Sequence, residues 1–187
     1  MATTKQPASI HQLKVTLRGI KPPIWRRLQV ASESSLYTMH HILQVVMGWE
    51  GYHLYQFSVG QTNYGDPDPA SGLDLRSART AKLNRVAPAP GAKFVYVYDF
   101  GDDWEHQIVV EKVLPPESEA RYPRCVAGKR AGPPEDCGGV WGYAELLEIL
   151  QNPTHPEYEE RMEWLGQDFD PDAFDLAEIN RALQSAR

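Results

Sequence analysis

Positive charge is scarce in this sequence: 19 Lys and Arg stand against 25 Asp and Glu, for a formal net charge of −6. Neutralising a phosphate backbone takes clustered Lys and Arg. The densest basic spots here are only WRR at Trp25–Arg27 and GKR at Gly128–Arg130, so strong duplex DNA binding is not expected. No stretch approaches the ~18 apolar residues of a membrane span, so no membrane partner is expected either. The opening MATTKQPAS has no apolar core and reads as a short disordered lead over residues 1–9, and the cytoplasm is the expected compartment. Cysteine is nearly absent. Cys125 and Cys137 are the two present, too few for a disulfide framework and without C-x-x-C spacing. Free thiols are the plain reading in a reducing compartment. A bridge between them, or a share in a metal site, is the alternative. There is no internal repeat, no G-x-x-x-x-G-K-[ST] loop and no G-x-G-x-x-G after a strand.

What is present is ordinary globular composition, with 42% hydrophobic and 24% charged residues over 187 positions. One domain over residues 10–187 is expected. IHQLKVTLRGI alternates Leu13, Val15 and Leu17 against polar neighbours, KPP breaks it, and IWRRLQV alternates again through Ile24, Leu28 and Val30. These make a first hairpin. SSLYTMHHILQVVMGW switches to helical spacing, with Leu36, Met39, His40, Leu43 and Met47 on one stripe, Ser34 or Ser35 as the cap and Gly48 as the stop. YHLYQFSVG reads as a further strand. Residues 61–90 read as one long loop, either functional or mobile. AKFVYVYDFGDDWEHQIVVEKVL reads as a second hairpin, followed by a Pro- and Gly-rich segment over 115–139. Three short helices close the chain. Capping boxes are expected at Thr154/Glu157 and Asp175/Glu178, with Phe174 and Ile179 as a hydrophobic staple. Leu176, Ile179 and Leu183 are expected to dock the last helix. The fold class is α+β: a mostly antiparallel sheet from two hairpins plus a further strand, packed by one helix from the N-terminal half and the three C-terminal helices.

The stretch YVYDFGDDWEH carries the most chemistry per residue. A three-residue Gly101–Asp103 loop would pair Phe100 with Trp104 and Tyr98 with His106. That keeps Phe94, Tyr96, Tyr98 and Phe100 on one face with Trp104, His106, Ile108 and Val110. Asp99 then falls opposite Glu105 on the outer face, with Asp102 and Asp103 at the tip. Like charges facing each other in a ladder are destabilising. Asp99, Asp102, Asp103 and Glu105 are thus a candidate ligand or cation site. A divalent cation is the one cofactor they would suit; a basic side chain, or backbone N–H groups of the turn, would serve instead. His40, Gln44, Trp49, His53, Trp104 and His106 are candidates for lining a cleft between sheet and helices. A histidine on an apolar stripe also fits a plain hydrogen-bonded core position. In PPEDCGGVWGY the Gly pair leads into a helix whose N-terminus could take an anion, but Glu135 and Asp136 would repel it.

Several spaced motifs in one order, MHHILQVVMGW, YGDP, YDFGDDWEH, PPEDCGG, GYAELL, NPTHPEY and FDPDAFDLAEIN, resemble the plasmid Ri open-reading-frame-three family. Members also occur as passengers of insertion elements, some under the label TnpR. The resemblance covers residues 10–183 and implies an α+β domain found on plasmids, mobile elements and prokaryotic chromosomes. It brings no established activity. The sequence departs from the family's commoner pattern at Tyr55 and Gly132, where a histidine and a cysteine are frequent, and at Asn152 and Tyr158, in place of a frequent Asp and His. If those positions form a Cys/His metal site in relatives, part of it is missing here.

No catalytic constellation stands out, which leaves enzymatic activity open. The function expected is a non-catalytic binding or accessory module that takes a protein or small-molecule ligand in the cleft. One alternative is a metal-assisted hydrolase or nuclease using the hairpin carboxylates. The other is a DNA-associated regulator of a mobile element, against which the charge balance counts.

Overall fold

The computed structural model describes residues 7–69, 72–166 and 169–186. Of the expected lead, residues 1–6 lie outside these. Ser9 is already tied down: its carbonyl accepts from Ser32 N–H at 3.0 Å.

An eight-stranded sheet organises the fold, in the order β5-β4-β3-β6-β7-β1-β2-β8. The first hairpin is β1 (Ile10–Leu17) with β2 (Trp25–Ala31). β3 (Tyr55–Val59) pairs with β6 (Lys93–Tyr98), and β6 with β7 (Trp104–Leu114). β7 then returns to β1, so the two hairpins join in the middle of the sheet. All pairings are antiparallel except the short one between β4 (Thr62–Gly65) and β5 (Arg76–Ser77). The expected α+β class is what the chain adopts.

One sheet face is apolar. Phe57, Tyr96, His106 and Leu17 follow one another across four strands, as do Phe94, Ile108, Val15 and Arg26. α1 (Leu36–Met47) lays its stripe of Leu36, Met39, His40, Leu43 and Met47 on this face, and each of these is buried. Ser35 caps it by accepting from Thr38 N–H, and Gly48 ends it in the left-handed conformation. Tyr143 of α3 (Gly139–Leu150) and Leu183 of α5 (Leu176–Ser185) join the same core. The opposite face is polar. There Arg27 donates to Glu111, Gln12 to Glu111, Gln29 to Gln12 and Arg124 to Gln29. One wet face and one covered face are the usual state of an antiparallel sheet.

Several expectations change. Residues 61–90 are not one loop; they hold β4, β5 and the single turn α2 (Leu83–Val86). The Pro- and Gly-rich segment holds an edge strand, β8 (Arg124–Lys129), paired with β2. The second hairpin is shifted by two: Tyr98 pairs with Trp104 and Tyr96 with His106. The apolar face survives this, because a two-residue slip keeps the parity. Phe100, however, leaves the ladder and is exposed, and Glu105 faces Val97 rather than Asp99. α4 (Tyr158–Leu165) begins after Glu157 with no side-chain cap; the Thr154 hydroxyl bonds Asn152 instead. Asp175 does cap α5 through Glu178 N–H. Within α5, Leu183 is 3% exposed but Leu176 is 38% exposed, so Leu176 does not dock.

Candidate functional site

At one end of the covered face, α1 meets the start of β3. The His40 ring stacks on Tyr55, with centroids 3.8 Å apart and 10° between planes. His40 Nδ1 and Gln44 Nε2 both reach the Tyr96 hydroxyl at 2.8 Å. Burial, with His41 alongside, pushes His40 down to about 3, so the imidazole is neutral. Nδ1 is thus committed to Tyr96. Gln44 Oε1 is buried without a hydrogen-bond partner.

Above this floor is a recess of about 260 Å³. His40, His41, His53, Tyr37, Tyr55, Asp66 and Asp68 supply its polar lining, and Leu54, Leu73, Leu75 and Phe100 its apolar lining. The Tyr55 hydroxyl donates to Asp66, which also faces Arg79. Leu54, Leu73 and Phe100 are exposed at its rim. The segment read as a bare loop thus builds one wall. A larger recess of about 590 Å³ lies between α1 and α5. The cation in its lining, Arg26, is 2% exposed and donates to the Val46, Trp25 and Lys129 carbonyls while packing over Phe174. Burial lowers it to about 10, which leaves it cationic.

Beside the smaller recess, three chain segments converge. His53 Nε2 lies 3.1 Å from Asp136 Oδ1 and 3.7 Å from Asp99 Oδ2. Asp99 follows β6 directly and is 7% exposed. Its N–H donates to Leu54 and its Oδ1 accepts from Gly101 N–H. Both Asp99 and Asp136 have positive φ, 58° and 57°, a conformation Asp tolerates better than most residues. Tyr98 donates to Glu135 next door and accepts from His53 N–H at 3.4 Å.

The residues named from sequence are therefore divided. Asp99 joins His53, which had been placed in the cleft. Asp102 turns to α3 and accepts from Gly138 N–H, so the hairpin supplies the anion for that helix N-terminus. Asp103 stays in the turn, donating its N–H to Asp99 O. Glu105 pairs with Arg18 on the outer face. His40, Gln44 and His53 stand together near the recess, and Trp49 is bonded to Pro133 O. Trp104 and His106 are core, with His106 fully buried against Trp104 O. Asp136, which stands 3.1 Å from His53, is not among the candidate site residues named from sequence; its one sequence signal is its place in a turn beside a Gly pair. The cysteines are free thiols. Burial pushes Cys137 up to about 12 and raises Cys125, so neither is poised as a thiolate. Gly132 packs so closely on α1 that a Cβ there would strike the Met47 carbonyl.

A sheet covered on one face, with a histidine–carboxylate corner at the end of a hairpin, defines the class: an α+β protein whose polar chemistry gathers at one end of the covered face. Within it, the chain belongs to the plasmid pRiA4b ORF-3-like protein family, whose sequence model matches residues 9–178. The uncharacterized protein y4hQ of Sinorhizobium fredii is 39% identical over 178 residues, 94% of this chain and 91% of that protein. The crystal structure of MM3350 from Methanosarcina mazei Go1, a protein of unknown function, superposes with a TM-score of 0.84 at 40% identity. It covers 92% of this chain and 98% of that one. No helix among the described residues is long and apolar enough to cross a membrane.

Proposed function

We propose that this chain is a non-catalytic binding module that takes a small amine-bearing molecule in the recess between α1, β3 and the β4–β5 segment. The observation that carries this reading is the lining. It joins an apolar rim of Leu54, Leu73 and Phe100 to a polar floor of His40, Tyr55 and Asp66. An apolar pocket with a few convergent polar groups is the usual form of a small-molecule site. Among the described residues its charged lining residues, Asp66 and Asp68, are both acidic and neither Lys nor Arg lines it. Arg79 pairs with Asp66 from outside the lining, and with two carboxylates in the lining itself the recess favours a cation or amine. Among the described residues the lining also has no Ser, Cys or Lys to act as a nucleophile, which favours binding over covalent chemistry. The test is a thermal-shift screen with matched panels of small amines and small carboxylic acids, on wild type and on Leu54→Lys. Leu54 is exposed at the rim, so that change leaves the fold alone and puts a cation at the mouth. Amines that stabilise wild type but not Leu54→Lys support the reading. Stabilisation by the acids, or equal effects on both proteins, counts against it.

A further inference from the structure

We propose that His53, Asp99 and Asp136 form a binding site for one divalent transition-metal ion of the Zn²⁺ type.

The argument starts from placement. One ligand atom from each residue, the His53 nitrogen and one oxygen from each aspartate, lies within 4.8 Å of the other two. Ligands about 2.0–2.2 Å from a tetrahedral ion sit about 3.3 Å from each other. The 3.1 Å and 3.7 Å separations from His53 Nε2 bracket that value. The three residues come from different places: just before β3, just after β6 and just before α3. The fold therefore assembles the group; the local sequence does not.

Two features point to a ligand beyond the chain itself. Asp99 is buried, yet only its Oδ1 is satisfied, by Gly101 N–H. Its Oδ2 takes no hydrogen bond among the described residues and is turned to His53. His53 Nε2 is likewise buried with no hydrogen-bond partner. A buried imidazole nitrogen left without a hydrogen bond is costly, and a metal ion would satisfy it while taking the Asp99 oxygen that faces it. The charge is also uncompensated. Among the described residues, no Lys or Arg forms an ion pair with Asp99, Asp136, Asp102 or Glu135. The two carboxylates offer the charge that complements one divalent ion.

The donor set selects the metal. An imidazole beside two carboxylates suits Zn²⁺ and its first-row neighbours; Mg²⁺ and Ca²⁺ prefer all-oxygen shells. Cys137, next to Asp136 in sequence, is not part of the converging group. Three protein ligands leave a coordination position open. His53 also lines the recess, so that position is within reach of a recess ligand. The metal site itself does not depend on what the recess binds.

The test uses the full chain without a histidine tag, stripped with chelator. Zn²⁺ is titrated in competition with a colorimetric chelator, and Co²⁺ is followed by its visible d–d bands. Wild type is expected to take one equivalent of Zn²⁺ and to give Co²⁺ bands. Asp136→Asn should weaken binding by roughly tenfold or more, since even outer-shell partners of a metal cost that much. Its side chain is 67% exposed, so folding is spared, and circular dichroism checks this. His53→Ala should abolish the Co²⁺ bands. Glu105→Gln, on the outer face, should bind as wild type does. The proposal fails if wild type takes no stoichiometric Zn²⁺, or if both Asp136→Asn and His53→Ala bind like wild type. Binding of metal alone is the readout, so a recess that binds no amine leaves this result standing.

Discussion

Asn180 lies across the outer edge of β8 from Cys125, accepting from its N–H and donating to its carbonyl, both at 2.9 Å. One side-chain amide thus makes the two bonds that a ninth strand would make at that residue. Gln184 adds a bond to Pro123 O one turn later. An unpaired sheet edge is a template for association, and here α5 covers it. Asn180→Ala should cost about 1 kcal/mol, or ~2–4 °C of melting temperature at this size. Light scattering of the variant should show more self-association than wild type. An unchanged melting curve would mean that the edge is held by the apolar contacts of α5 alone.

The two ends of α5 should respond differently to truncation. Leu183→Ala removes a buried side chain and should cost ~2–5 kcal/mol. Leu176→Ala, at an exposed position, should stay within about 0.5 kcal/mol. Chemical denaturation of both variants is the check, and similar losses would mean that the helix packs along its whole length.

Stability should fall as the solution is acidified below neutral. Burial holds His40 down to about 3 and His106 to about 4, against 6.5 for an ordinary histidine. For groups depressed in the folded state, the unfolded chain takes up protons first. Their contribution is therefore complete above pH 6.5 and is lost as pH falls from there, toward 4 for His106 and toward 3 for His40. Each should cost roughly 2 kcal/mol by pH 5. Melting at pH 7.5 and pH 5 should show the drop. His40→Gln should show a smaller drop between the two pH values; an equal one would remove His40 from the account.

Duplex DNA should not bind at physiological salt. In the two basic spots of the sequence the arginines are already committed. Arg26 is buried, Arg27 is bonded to Glu111, and Arg130 is buried against Pro22 O and Asp172. A fluorescence anisotropy titration should be flat. Binding that weakens steeply with added salt would overturn this.

The faces of the strands were legible in the sequence because apolar side chains recur at every second residue; Leu13, Val15 and Leu17 needed nothing more. The register of the second hairpin was not, since a slip of two preserves that pattern, and the left-handed turn at Asp99 and Asp103 has no signature in hydropathy. Arg26 sits at a core parity that its charge disguises, and its burial is made tolerable by the neighbouring Trp25 carbonyl together with those of Val46 and Lys129, brought in from elsewhere. Of the candidate site, the chemical types of His53 and Asp99 were visible separately. Their meeting with Asp136 depends on three loops arriving together, which no local pattern encodes. β8 was hidden by the prolines and glycines around it.

The central pairing of the sheet also has a consequence in time. β1 joins β7 from Leu17 with His106 to Ile10 with Leu114. A chain made at about 5–20 residues per second leaves β1 waiting on the order of 5–20 s for that neighbour. In that interval the first hairpin has an apolar face without α3 or α5 to cover it, and an open edge where β7 will add. Pairings this distant are slow to close. The β1–β2 hairpin is thus the part of the molecule most exposed to wrong partners while the chain is being made.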